Sequence, residues 1–167
     1  MEAEGILTVL AEVAIAIAGF SGIAVVLFDP GESWAESDKI RFSLLLQLSF
    51  ASVLFAFLPI LLYLMHPSEP MAWRWASGLW LTYVFCSVTY RVVKVRANSN
   101  LDMDQFARVV ACFMFGSLAV ATLVQVVNVV RLSTAWPHVL AVMEGILMSF
   151  FLFARLLHRV VKRRSEG

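Results

Sequence analysis

Apolar residues gather into five long stretches that are separated by short polar intervals. The stretches cover residues 5–28, 42–65, 75–95, 109–130 and 137–158. Each comes close to the roughly 20 apolar residues that a helix needs to cross a bilayer. Hydrocarbon offers the backbone no hydrogen-bond partners, and the ten-residue alternation of barrel strands is missing here, so helices are favoured over a barrel. The pattern predicts an all-α, polytopic membrane helical bundle of five transmembrane helices, forming one domain over 1–167.

The composition favours a membrane protein as well. The chain of 167 residues is 60% hydrophobic and 15% charged, which gives more apolar surface than a soluble domain of this length can bury. The lipid bilayer is therefore the expected partner. The second and fourth stretches contain no formal charge, whereas Arg91 and Lys94 lie near the end of the third and the fifth contains Glu144 and Arg155.

The placement of lysine and arginine predicts the orientation, because loops rich in these residues stay in the cytoplasm. With five spans and an external amino terminus, eleven basic residues fall on the inner side and two on the outer side. The inner set is Lys39, Arg41, Arg91, Lys94, Arg96, Arg108, Arg155, Arg159, Lys162, Arg163 and Arg164, and the outer set is Arg74 and Arg131. We expect a cytoplasmic carboxyl terminus and a bacterial plasma (inner) membrane.

The first stretch has small residues that a signal peptidase could accept, but its leading charges are wrong for a secretion signal. Such a signal opens with positive charge, whereas this chain opens with Glu2 and Glu4. We therefore expect the first stretch to be retained as a helix.

Polar residues inside the stretches indicate a candidate site near the outer face. Glu12 and Glu144 each lie about seven residues inside the outer end of a stretch, which is roughly 10 Å deep at a rise of 1.5 Å per residue. Gln125 and Asn128 occupy the same layer, and Tyr63 lies slightly above it. A carboxylate at this depth must be neutralised, paired or wetted, so it is a functional hypothesis by default.

Two functions fit this layer of polar residues. In the first, the five side chains line a water-accessible cavity that binds a cation or carries protons, and the protein is a channel- or transporter-like device. Five helices leave little room for a central pore, so conduction would require a homo-oligomer. In the second, the same groups bond helices together, and the protein is a non-conducting scaffold, accessory subunit or sensor.

Three arginines, Arg91, Arg108 and Arg155, lie near the inner boundary. Long basic side chains can extend to the interface and keep their charge in water, which is the simpler interpretation. The sharper alternative is an inner basic ring that selects anions or gates the bundle.

Small residues at helical spacing predict the faces through which the helices pack, because helices in lipid associate by close approach. The first stretch has two such faces, Ala11, Ala14, Ala18 and Gly22 on one and Thr8, Glu12, Ala16 and Gly19 on the other, which predicts a central position. The later stretches have one each: Ser49, Ser52, Ala56, Pro59 and Tyr63; Gly78, Thr82, Cys86 and Thr89; and Ser117, Ala121, Gln125 and Asn128.

No motif in the chain predicts an enzyme, a cofactor site or binding to nucleic acid. Asp102 and Asp104 are interpreted as the start of a helix, so no metal site is expected there. His66 and His138 could join Glu144 around a metal, but histidines in loops at the headgroup level are the favoured interpretation. The prolines in 66–74 predict an extended external loop.

Overall fold

A computed structural model describes residues 3–27, 36–97 and 105–166, with side chains over 3–23, 39–93 and 112–158. Five α-helices follow one another along the chain. They are α1 (Glu4–Leu27), α2 (Glu36–Met65), α3 (Glu69–Ala97), α4 (Gln105–Val127) and α5 (Ala135–Glu166), with a π-helical turn at Asn128–Leu132 between α4 and α5. The described ranges contain no strand, so the predicted all-α class is confirmed.

Four of the helices are long and apolar enough to cross a membrane. The qualifying segments are Glu4–Ile23, Lys39–Met65, Cys112–Leu132 and Ala135–His158. Helix α3 has 29 residues, or about 43 Å at 1.5 Å per residue, so its length suffices. Its described residues are not apolar enough, because hydroxyl-bearing residues such as Ser77, Thr82 and Thr89 and the charge of Arg91 interrupt the apolar ones. The fifth span therefore stays a prediction.

The predicted extended loop at 66–74 is wrong, since α3 begins at Glu69 and only 66–68 connect it to α2. Proline lacks an N–H, and the first turn of a helix leaves its N–H groups without intrahelical partners. Pro70 therefore fits the first turn of α3. The turn is closed by the Ala72 N–H, which donates to the Ser68 carbonyl at 3.0 Å.

The chain also departs from a simple helix at the end of the fourth stretch. A π-helical turn replaces the last α-helical turn, and Ser133 then adopts a left-handed conformation with φ of 52°. A residue with a side chain rarely adopts this conformation, so it ends the helix sharply and redirects the chain into α5. The cap predicted at Asp102 and Asp104 lies outside the described residues.

The chain groups into two compact units, of which the first comprises Met1–Leu58 and Val142–Gly167. In this unit the buried stripe of α1 contains Leu7, Ala11, Ala14 and Ser21. It includes two members of the first predicted small-residue face, whose other members, Ala18 and Gly22, are half-buried. Serines are buried on the other two helices: Ser49 and Ser52 on α2 and Ser149 on α5.

Three of the four serines buried in this unit donate to carbonyls of their own helices, whereas the Ser49 Oγ has no hydrogen-bond partner among the described residues. Ser21 donates to the Ile17 carbonyl at 2.6 Å, Ser52 to the Leu48 carbonyl at 2.9 Å and Ser149 to the Gly145 carbonyl at 2.9 Å. A serine bonded in this way removes its polar atom from the helix surface. At these three serines the helices can therefore pack closely without leaving a hydroxyl donor unsatisfied.

The second unit comprises Pro59–Ala141. Its part of α3 buries Ala72, Trp73, Ala76, Ser77 and Trp80. The small-residue face predicted for this helix is not a packing surface among the described residues, because its members Thr82, Cys86 and Thr89 are exposed, and its use as a contact between copies stays a prediction. Two tryptophans on the buried face account for the difference, since each aromatic ring contributes far more contact area than a threonine or cysteine.

Gly145 marks a close approach between α5 and α2. A Cβ placed on Gly145 would lie 2.7 Å from the Ser52 Oγ, well inside van der Waals contact. The Ser52 hydroxyl could rotate away only by giving up its hydrogen bond to Leu48.

We expect Gly145→Ala to lower the free energy of unfolding in mixed detergent micelles by about 1–3 kcal/mol, the usual cost of overpacking. Adding Ser52→Ala should restore most of the loss, because it removes the clashing oxygen. Gly78→Ala is the matched control, since no described atom lies within 4 Å of its Cβ position. Equal effects of the two glycine substitutions would contradict the close approach.

Candidate functional site

Asn128 is the centre of a buried polar cluster in the second unit. Its Nδ2 donates to the Ser77 Oγ at 2.8 Å and to the Thr134 carbonyl at 3.1 Å. Its Oδ1 accepts from the Thr134 N–H at 2.9 Å. Asn128 and Ser77 are fully buried. One side chain therefore ties the π-helical turn to α3 and to the residue that precedes α5.

Gln125 lies one turn earlier and is also fully buried. Its Nε2 donates to the Pro137 carbonyl at 3.1 Å, in the first turn of α5. Its Oε1 has no hydrogen-bond partner within the described structure. The two amides predicted as site residues thus come together at one junction, where they bond the end of α4 to the start of α5.

His138 lies beside this junction and is fully buried. Its ring centroid is 6.0 Å from that of Trp73, with the planes tilted by 50°. His138 belongs to α5 and not to a loop, whereas its position at the headgroup level stays a prediction. The fifth apolar stretch, 137–158, already included it, and Pro137 agrees, since proline favours the first turn of a helix.

Glu12 has the opposite environment from the amides. It is exposed, on the side of α1 that carries Ala16 and Gly19. It makes no hydrogen bond or ion pair with any described residue. The second small-residue face predicted for α1 is exposed at Glu12, Ala16 and Gly19 among the described residues, so the central position of α1 stays a prediction.

The remaining predicted residues are half-buried. Glu144 and Tyr63 are partly exposed, and Glu144 has an interaction partner. Glu12 and Glu144 belong to the first unit, whereas Tyr63, Gln125 and Asn128 belong to the second. The convergence of acids, amides and phenol in one cavity stays a prediction.

The basic residues near the inner boundary are described only in part. Arg91 and Arg155 are half-buried, and each has an interaction partner. The side chain of Arg108 lies outside the described part of the chain. The inner basic ring therefore stays a prediction too.

Asn128→Ala should lower the free energy of unfolding by about 1–3 kcal/mol, because it leaves buried polar groups without partners. Ser77→Ala should cost less, since the Asn128 Nδ2 would keep the Thr134 carbonyl. Unfolding by sodium dodecyl sulfate in mixed micelles measures both. A smaller effect for Asn128→Ala than for Ser77→Ala would contradict the central position of Asn128.

Among the described residues, no group of three or more histidines, cysteines or acidic residues could hold a metal ion. Comparison of the chain with known proteins yields no match: no protein family, no curated protein and no solved structure is similar to it. The functional argument therefore rests on the residues themselves.

Proposed function

We propose that this protein is a cation- or proton-conducting device of the membrane, in which Glu12 binds the permeating ion or proton. One observation carries the proposal. A carboxylate lies about seven residues inside an apolar helix that can span the bilayer, on an exposed face and with no bonded partner in the described chain.

The energetic argument starts from the cost of a charge in hydrocarbon. Placing an ionised side chain at the centre of a membrane helix costs about 3 kcal/mol on insertion scales. Interhelical hydrogen bonds of polar side chains return about 1 kcal/mol or less. Binding a proton or a cation neutralises the carboxylate of Glu12. Protons and cations, the two ligands that a conducting protein would move, are therefore the ones that Glu12 favours.

The proposal includes a topology of five spans with the amino terminus outside, in a bacterial plasma membrane. The excess of basic residues on the inner side supports this orientation. It places Glu12 nearer the outer surface, so an ion or proton would reach it first from outside. Glu144, at a similar depth on α5, is the expected second acidic position on the path.

A non-conducting scaffold or accessory subunit is the second candidate function. The observation in its favour is the junction of Asn128, Ser77, Thr134, Gln125 and Pro137, where buried amides bond helices to one another. Polar residues used in this way stabilise packing and bind no ion. A conducting protein requires Glu12 to bind an ion or a proton, whereas a scaffold does not.

Glu12→Gln should abolish most of the proton or cation flux into liposomes, by at least tenfold, while Glu12→Asp keeps part of it. The amide has nearly the shape of the carboxyl group but cannot take up and release a proton at ordinary pH. Glu69→Gln, an exposed acid in the first turn of α3, is the control and should conduct normally. Wild-type flux in Glu12→Gln would refute the role of Glu12, and no flux in the wild type would favour the scaffold.

The topology can be tested at the two termini. In a background with Cys86→Ala and Cys112→Ala, a membrane-impermeant maleimide applied to intact cells should label Glu2→Cys and leave Ser165→Cys unlabelled. Five spans place the termini on opposite sides, whereas four spans, with α3 not crossing, would place them on the same side. Equal labelling of both positions would therefore show that α3 does not cross the membrane.

A further inference from the structure

We propose that Arg74 and Arg131 together bind the phosphate group of an anionic phospholipid, at the end of the second unit where α4 leads into α5. Both arginines belong to the second unit, whereas Glu12 belongs to the first. The inference goes beyond the proposed function and does not depend on it, because neither conduction nor a scaffold role requires a bound lipid.

The junction between α4 and α5 lies at a surface of the bilayer. The candidate spans Cys112–Leu132 and Ala135–His158 follow one another, with only Ser133 and Thr134 between them. A chain that leaves the hydrocarbon after one span and re-enters it at once turns at the level of the headgroups. This holds for either orientation of the chain in the membrane.

Two exposed tryptophans agree with this level. Trp75 follows Arg74 on α3 and is 61% exposed, and Trp136 lies in the first turn of α5 and is 51% exposed. Indole rings are enriched at the headgroup level, because the ring is largely apolar while its N–H needs a polar partner. Lipid phosphates are therefore the acceptors nearest to the two arginines.

A hydrogen bond brings Arg74 to the segment that contains Arg131. The Arg74 Nε donates to the Ser133 Oγ at 3.2 Å. Arg131 precedes Ser133 by two residues, so their Cα atoms are at most about 7.6 Å apart. The Ser133 N–H donates to the Asn128 carbonyl at 2.9 Å, which holds the turn in place. One phosphate can therefore contact both guanidinium groups.

The two positive charges have no acidic partner among the described residues. Arg131 is exposed and makes no hydrogen bond or ion pair with a described residue, and the bond to Ser133 leaves the Nη groups of Arg74 available. Glu69, five residues before Arg74 on α3, lies about 140° around the helix from it. Guanidinium groups donate paired hydrogen bonds to phosphate oxygens, so phosphate is the complementary ligand.

The surroundings favour a lipid over a free phosphate ion. Acyl chains can pack against the exposed rings of Trp75 and Trp136, which an inorganic anion cannot do. A headgroup with a net negative charge is favoured over a zwitterionic one, because the cation of a choline headgroup would be repelled by the two arginines. The expected ligand is therefore an anionic phospholipid.

Native mass spectrometry of the whole chain in detergent tests the site. The wild type should bind one dioleoyl phosphatidylglycerol per chain, at least fivefold more tightly than dioleoyl phosphatidylcholine. Arg74→Gln and Arg131→Gln should each reduce this preference at least threefold. Lys39→Gln is the matched control, because Lys39 is an exposed basic residue at the end of α2 that is remote from α3 along the chain, and it should keep the preference.

Thermal unfolding supplies a second measurement and controls for folding. Arg131 is exposed and bonded to no described residue, so Arg131→Gln should melt with the wild type in detergent alone. Added phosphatidylglycerol should raise the melting temperature of the wild type and not that of Arg131→Gln, because a ligand that binds the folded state stabilises it.

Three results would overturn the inference. An equal loss of preference in Lys39→Gln would show that total charge attracts the lipid and that the two arginines form no site. Equal binding of phosphatidylglycerol and phosphatidylcholine by the wild type would refute recognition of an anionic headgroup. Displacement of bound phosphatidylglycerol by inorganic phosphate would identify a soluble anion as the ligand instead of a lipid.

Discussion

Hydrocarbon supplies no hydrogen-bond partners, and in a chain whose helices can cross a membrane this constraint accounts for the placement of several of the described polar groups. The backbone meets it by forming helices over nearly all of the described ranges. Ser21, Ser52 and Ser149 meet it by donating to carbonyls of their own helices, although the buried Ser49 does not. Where the helix is interrupted after α4, the side chain of Asn128 replaces the missing backbone bonds by pairing with the N–H and the carbonyl of Thr134.

Glu12 differs from the buried amides in both its exposure and its lack of a bonded partner. The amides Gln125 and Asn128 are fully buried and bonded at the junction between α4 and α5, so packing explains them. The Glu12 carboxylate lies within a helix that is long and apolar enough to cross a membrane, and it is exposed and without a bonded partner among the described residues. A carboxylate inside a bilayer must be neutralised, paired or wetted. The proposed function therefore rests on α1, whereas the amides bond the helices of the second unit to one another.

The hydrophobic pattern predicted the helices well and the connections poorly. Long apolar runs predicted the positions of all five helices, because in hydrocarbon the α-helix satisfies the backbone hydrogen bonds of a segment within that segment. The prediction of an extended loop at 66–74 was wrong. Pro67 and Pro70 are compatible both with a long loop and with a short turn that leads directly into a helix, and the chain forms the short turn. The predicted small-residue stripe of α2 is buried from Ser49 to Pro59, and the first stripe of α1 is buried at Ala11 and Ala14, but the buried face of α3 includes Trp73 and Trp80 instead of the predicted residues.

The sequence by itself determined the all-helical class and the positions of the helices, and it predicts the depth of each polar residue in a bilayer, since these follow from local hydrophobicity and a fixed rise per residue. Only the tertiary structure decided which way each polar side chain points. Gln125 and Asn128 turn inward and Glu12 turns outward, although all three lie in one predicted layer. Depth is set by position along a single helix, whereas direction depends on how that helix packs against its neighbours, and no single helix contains that information.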